Sequence, residues 1–337
     1  MKDQERINKF LKEFDSKLSK KYPRKIDFIL LFGSAARGDW KKGVSDVDLV
    51  IQVKKQDYIN EVKEHTDKIF WELDKKHGTQ LKNACSTGDK KDIIKKALRK
   101  TELYVPYEVF GPKDIDWKKG RIRKKELILG AKLIASQAML FKKMKQEGQI
   151  LYGRDIRKVI HPKITKWEKV KAILIPYHIA SASVLLSLFL PKVALKIADK
   201  AAIYSISSTL FFLDKPVGKG LKRDTQRLEK EIRTDFKYKR SVLGMMEVDF
   251  VLNFDYRKLL NFKFASEAIR LKGNWEEAEK FNRWKTLRFS LRSLFFVNAM
   301  NWYAILRSDR HHLILSLLFV IRTILFFLIL WLIIHYL

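Results

Sequence analysis

"FILLFGSAARGDWKKGVSDVDLVIQV", residues 28–53, decides how this chain is read. An apolar run ends at Gly33-Ser34. A short basic segment follows, and Asp46 and Asp48 then stand one residue apart inside a second apolar run, "SDVDLVIQV", 45–53. Both runs have strand composition. Side chains alternate along a strand, so Asp46 and Asp48 share one face while Val47 takes the other. Two carboxylates that close repel each other, and burial beside a sheet makes the repulsion worse. A divalent cation is the usual remedy, and carboxylate oxygens suit Mg²⁺ or Mn²⁺. Gly33 lets the backbone turn tightly and approach a ligand. The amides after it open a short helix over "SAAR", which is an anion site. The Ser34 hydroxyl adds a donor, and Arg37, Lys41 and Lys42 surround the turn with positive charge. The pattern predicts a triphosphate held by Gly33, Ser34, Arg37 and Lys42, with metal on Asp46 and Asp48.

The rest of the first third fits around these strands. Ile7, Phe10, Leu11, Phe14 and Leu18 recur at helical spacing, predicting an amphipathic helix over 3–20 that ends at Tyr22-Pro23. Ile59, Val62, Thr66, Ile69, Phe70 and Leu73 predict another over 56–75. A polar linker with Gly78 and Gly88 follows, then a helix over 90–100 and a third strand in "ELYVPYEVFGP", closed by Gly111-Pro112. Strands alternating with helices indicate an α/β arrangement here. Beyond Lys118 helical periods dominate. One helix is expected over 121–147, and two more over 165–189 and 192–213, divided by Pro191. "YGRD" at 152–155 reads as a turn. "EVDFVLNF" is the one ambiguous strand-like segment.

The motif "GSAARG" followed by "SDVDLVI" resembles the signature of the nucleotidyltransferase superfamily of the DNA polymerase β type. Gly33, Ser34, Gly38, Asp46 and Asp48 match that pattern. The resemblance is clear over 26–53 and looser to about 112. It implies an α+β fold in which a mixed sheet flanked by helices forms the catalytic domain. It also implies metal-dependent transfer of a nucleoside monophosphate from an NTP, with two metal ions and release of pyrophosphate. The family uses a third carboxylate on a neighbouring strand. Glu108 is the candidate, as a metal ligand and as the group that activates the acceptor hydroxyl; Glu102 has the same parity but falls nearer the start of the strand. Glu stands where many members have Asp. "LYGRDI" at 151–156 is a weaker likeness to an element that follows the catalytic domain in such enzymes.

Composition bounds the partners. The 337 residues carry 69 basic and 38 acidic side chains, a net charge of +31. Residues 1–120 hold 28 and 20, or +8, leaving 41 and 18, or +23, for the remainder. Such an excess suits nucleic acid, nucleotide or anionic lipid, although a lysine-rich proteome would produce it too. The single cysteine, Cys85, rules out an internal disulfide and a Cys-based zinc site. The seven histidines show no metal-ligand spacing. The N-terminus lacks the apolar core of a signal peptide.

"LILSLLFVIRTILFFLILWLII", 313–334, holds 22 residues with Arg322 as its one charge. Arg322 costs about 3 kcal/mol, while 18 Leu, Ile, Phe and Val residues each contribute roughly −0.3 to −0.6 kcal/mol. The apolar sum wins, so a C-terminal transmembrane helix is expected. Arg307, Arg310, His311 and His312 precede it, which puts the catalytic part in the cytosol. The uncharged segment 172–190 is long enough to span, but Pro176, Tyr177, His178 and its serines favour a buried helix. Helix 283–306 carries Trp284, Leu287, Leu291, Leu294 and Phe295 on one stripe and Lys285, Arg288 and Arg292 on another. It suits either a membrane headgroup region or packing on neighbouring helices.

The expected domains are therefore 1–117 catalytic, 118–282 helical and acceptor-binding, 283–310 juxtamembrane and 313–334 transmembrane. The expected activity is nucleotidyl transfer from an NTP, ATP foremost, to an unidentified acceptor, next to an anionic membrane surface, with nucleic acid as a further partner class. The alternative is a non-catalytic nucleotide- or RNA-binding regulator. Deleting 313–337 is expected to move the protein from the membrane to the soluble fraction on flotation; a full chain that stays soluble without detergent would refute the anchor.

Overall fold

The computed structural model describes residues 3–43, 45–81, 106–124, 136–217, 220–242, 262–273, 277–278, 280–307 and 321. They form two compact units, Met1–Glu168 with Gly218–Gly220, and Lys169–Val217 with Leu221–Leu337. The first extends well past the expected boundary at 117.

Helix α1 is Asp3–Lys21, β1 Ile26–Phe32, α2 Gly33–Arg37, β2 Asp48–Val53, α3 Ile59–His77 and β3 Tyr107–Phe110. Strands β4 Ile115–Asp116 and β5 Arg121–Ile122 form a small hairpin, followed by α4 Gln137–Glu147 and β6 Gln149–Gly153. The main sheet has the order β3-β2-β1-β6. β1 runs antiparallel to β2 and β6, and β2 runs parallel to β3, so the sheet is mixed, as expected.

The alternation of β2 and its neighbours builds two cores. Ile29, Leu31, Val47, Leu49, Ile51, Tyr107 and Val109 lie in one with Phe10 and Phe14 of α1 and Phe70 of α3. Phe28, Leu30, Val50 and Phe110 lie in the other with Trp117, Phe141 and Ile160. The apolar stripes read along α1 and α3 are the buried ones, and Phe10, Phe14, Phe70 and Tyr107 form an aromatic cluster between them. Full burial of such side chains contributes about 1.5–3 kcal/mol each.

Two expectations change. The helix expected over 121–147 begins at Gln137, where Ser136 caps it by accepting from the Met139 amide; residues 121–122 are strand instead. The turn expected at 152–155 belongs partly to β6, which pairs Ile29 with Tyr152 and Leu30 with Ile150. β6 is a half-exposed edge strand, so it needs no strict apolar–polar alternation. The third strand is described only from 107; the helix expected over 90–100, Glu102, "EVDFVLNF" and the span expected over 313–334, Ile321 apart, lie outside the described residues.

The second unit is helical: α5 Lys166–Ser187, whose residues 166–168 belong to the first unit, α6 Pro191–Phe212, α7 Leu221–Val242, α8 Phe262–Gly273 and α9 Arg283–Leu306. Pro191 opens α6 at its first turn, where a missing amide hydrogen costs nothing. α5 is long and apolar enough to cross a membrane by length and composition. It is nonetheless packed: Tyr177, Ala180 and Val184 meet Ala201 of α6 and Leu294 and Val297 of α9. Its carbonyl at Ile173 accepts a hydrogen bond from Asn301. α9 packs along α6, where Ser293 donates to the Ala198 carbonyl. Thr286, Ser290, Ser293 and Asn301 of α9 are buried with Leu294 and Phe296, so packing on neighbouring helices describes most of α9.

Asp199 is buried in the middle of α6 with Oδ1 lacking a hydrogen bond. Burial raises its pKa from 3.8 to about 7, with Lys272 and Lys200 pulling the other way. The folded state therefore binds a proton that the unfolded state releases above pH 4. Stability is expected to be fullest below pH 4 at this site and to fall as pH rises through 7. Asp199→Asn should flatten this part of a melting-temperature profile; an unchanged slope would refute the assignment.

Candidate active site

The two motif halves meet at one end of the β1–β2 pair. Phe32, the last residue of β1, pairs with Asp48, the first of β2. Gly33 follows at φ +74°, a conformation favoured by glycine. The Asp48 carboxylate lies directly against it: a Cβ built on Gly33 would meet Asp48 Oδ2 at 2.0 Å. Any other side chain at 33 would occupy the space of the carboxylate. α2 begins at Gly33, and its N-cap residue Phe32 supplies no side-chain capping bond. The Ser34 hydroxyl donates to the Asp46 carbonyl at 3.5 Å, drawing the turn to the loop before β2.

That loop is itself closed. Ser45 donates its amide to the Lys41 carbonyl, and its Oγ accepts from the Lys41 amide. Val47 is fully buried in the core below, so its half-buried neighbours Asp46 and Asp48 sit on the opposite side. Glu108 shares their face through the register. It stands beside Val50 in the parallel pair, and Val50 lies two residues beyond Asp48. Its carboxylate accepts from Lys124, whose ammonium also lies 5.7 Å from the Phe110 ring centre.

Arg37 stands apart from this picture. The Arg37 guanidinium donates to Glu147 of α4 at 2.5 Å and to Asp39 at 3.4 Å. Burial disfavours its charge, but these carboxylates outweigh burial and hold its pKa above the ordinary value. Gln149 adds a 2.6 Å bond to the Ala36 carbonyl. Arg37 is therefore a brace between α2 and the α4–β6 corner, where the sequence reading expected a phosphate ligand. Lys42 is half-exposed, and its amide donates to Asp3 of α1. The sequence reading missed Lys124 and Glu147: each partners a site residue from far along the chain, and no local pattern marks such a pair.

The donor set fits a hard cation in part. Hard oxygen ligands and the glycine cradle under Asp48 suit a metal that is also bound to phosphate. No group of three His, Cys, Asp or Glu side chains converges for metal binding among the described residues, so Asp46, Asp48 and Glu108 do not form a closed triad here.

Residues 7–105 match the nucleotidyltransferase domain family, so the N-terminal unit carries a domain of that family. Glu108 falls just beyond the match. No curated protein matches the chain. A solved structure of a spectinomycin adenyltransferase from Enterococcus faecialis, with ATP and spectinomycin, aligns at 12% identity over 88% of this chain and 98% of that one, with a TM-score of 0.44. A likeness of that degree carries no inference about acceptor or fold. The family match supports nucleotide transfer in general.

Gly33→Ala is expected to displace the Asp48 carboxylate and to strain a positive φ. Nucleotide binding and turnover should fall by about 10²-fold or more, read by isothermal titration and pyrophosphate release. Wild-type turnover in this variant would show that the close approach is incidental.

Proposed function

We propose that the chain transfers a nucleoside monophosphate from an NTP, ATP foremost, to an acceptor hydroxyl, releasing pyrophosphate. The observation that carries this reading is the Asp48 carboxylate seated against Gly33 within a domain that matches the nucleotidyltransferase family. The Gly33 backbone and Ser34 hydroxyl receive phosphate oxygens, and Lys42 adds positive charge. Asp46 and Asp48 would hold Mg²⁺ or Mn²⁺. When bound, the cation neutralises phosphate charge and lowers the pKa of the acceptor hydroxyl. Glu108 accepts the proton of that hydroxyl while its oxygen bonds to the α-phosphorus and the bond to the β-phosphate oxygen breaks. Lys124 stands as the counter-charge to Glu108. The helical unit would recognise the acceptor, whether small molecule, protein hydroxyl or nucleic acid end.

The same reading tethers the enzyme to the cytosolic face of a membrane through 313–334. The 22-residue, largely apolar stretch with one charge supports it. So does the first turn of α9, where Trp284 is 77% exposed between exposed Arg283, Lys285 and Arg288. That arrangement suits an anionic headgroup region.

A second reading has one observation behind it. Glu108 is paired with Lys124, and no three acids converge among the described residues, as in a nucleotide-binding regulator without catalysis. The test is pyrophosphate release with each of the four NTPs, Mg²⁺ or Mn²⁺, and cell extract as acceptor source. Release with one NTP is expected, lowered by at least about 10²–10³-fold in Asp46→Asn and Asp48→Asn, and α-labelled nucleotide would identify the acceptor. Nucleotide bound without release under every condition would favour the regulator.

A further inference from the structure

The first unit carries a second surface, away from the residues discussed so far. The turn of the β4–β5 hairpin displays Lys118 and Lys119, both exposed. The loop after the short 3₁₀ turn Ile156–Lys158 lies beside it: the His161 amide donates to the Lys118 carbonyl at 3.1 Å. Gly120 lies so close to Pro162 that a Cβ there would meet the ring at 2.9 Å. Lys145 ties the loop down from α4 by donating to the Ile160 carbonyl at 2.8 Å. Ile156, Ile160, Trp117 and Phe141 form the core beneath, so the two segments share a firm backing.

This loop and the start of α5 expose side chains of two kinds. Lys158 and Lys163 are exposed cations. Val159, Ile164 and Trp167 are 38%, 37% and 54% exposed, though each is apolar. Scattered apolar residues on a surface are ordinary, whereas three within nine residues, among lysines, form a patch. The nearby acids are already committed. Asp116 pairs with Arg123, Asp155 with Arg157, and Glu168 accepts from Ser136 and the Ala138 amide. Asp116 is also drawn to Lys119 and Asp155 to Lys158, but among the described residues the ion pairs of these two carboxylates are with Arg123 and Arg157.

We infer that this patch docks the first unit onto an anionic lipid bilayer. Lysine stems reach along an interface while their ammonium groups stay with phosphate and carboxylate headgroups. Trp167 suits the boundary between headgroups and acyl chains. Single-stranded nucleic acid would be met by stacking aromatics along a basic groove; two aliphatic side chains set among the lysines fit lipid better. The docking requires neither nucleotide transfer nor the C-terminal segment.

The test uses the full chain carrying Cys85→Ser and Trp167→Cys, with a polarity-sensitive fluorophore on the new thiol. It is mixed with phosphatidylcholine vesicles with and without phosphatidylserine. A blue shift is expected on the anionic vesicles alone, weakening with salt. Each substitution among Lys118→Ser, Lys119→Ser, Lys158→Ser and Lys163→Ser should raise the half-saturating lipid concentration about fivefold. A second chain labelled through Trp284→Cys reports attachment by the other unit. A shift there but not at 167, equal shifts on neutral and anionic vesicles, or a shift at 167 only with single-stranded RNA would overturn the proposal. These exposed positions should leave the melting temperature unchanged, and because turnover is not read, a failure here is separate from a failure of the proposed reaction.

Discussion

The parity of β2 is the constraint on which the first unit depends. Val47, Leu49, Ile51 and Val53 all enter the core beneath α1 and α3. With those positions committed, Asp48 at the start of β2 is forced to the other face, Asp46 in the loop before it flanks the buried Val47, and a one-residue slip would exchange the faces of the strand. Burying the Asp48 carboxylate in place of Leu49 is costly enough to exclude that slip. The same hydrophobic term that builds the sheet thus orients the two acids. Val50 continues their face inward and is buried against Phe110 and Trp117, while Asp48 marks the place where the face opens.

A second constraint acts at the turn. β1 ends opposite the start of β2, so the chain must leave the sheet where the Asp48 carboxylate stands. Only a residue without a Cβ leaves room for it. The glycine therefore serves backbone conformation and side-chain placement at once. The Arg37–Glu147 pair then holds α2 against α4 from behind. With a Glu147 side chain that is 1% exposed, it is more than a surface ion pair, and removing either partner would strand a buried charge. A basic residue next to a phosphate-binding motif thus has a structural assignment that local sequence does not disclose.

The helical unit follows different physics. Its helix α5 is apolar enough to be mistaken for a membrane span, yet α5 and α6 both carry buried serines, and α6 a buried threonine. Ser183, Ser187 and Ser205 bond to carbonyls three residues earlier in their own helices, which satisfies them without a partner helix. Small residues on α6, among them Ala194, Ala198, Ala201 and Ala202, let α9 approach closely. Asp199, placed within this packing, is the group that opposes it once ionised.

The sequence by itself determined the motif, the strands that carry it, and the faces of α1 and α3, because each follows from spacing over a few residues. Strand parity and the need of Gly33-Ser34 for a tight turn act locally, and the resemblance of the motif to the nucleotidyltransferase signature is visible before any contact is known. The boundaries of α5, α6 and α9 were equally legible from uninterrupted helical periods and from Pro191. Only the tertiary structure decided the rest. β6 reads as a turn because an edge strand pairs on one side and needs no alternation. The β4–β5 hairpin is too short to carry a period. Lys124 reaches Glu108 across 16 residues and Glu147 reaches Arg37 across 110. Those pairings depend on where the folded chain returns, a property of the whole sheet that no stretch of sequence contains.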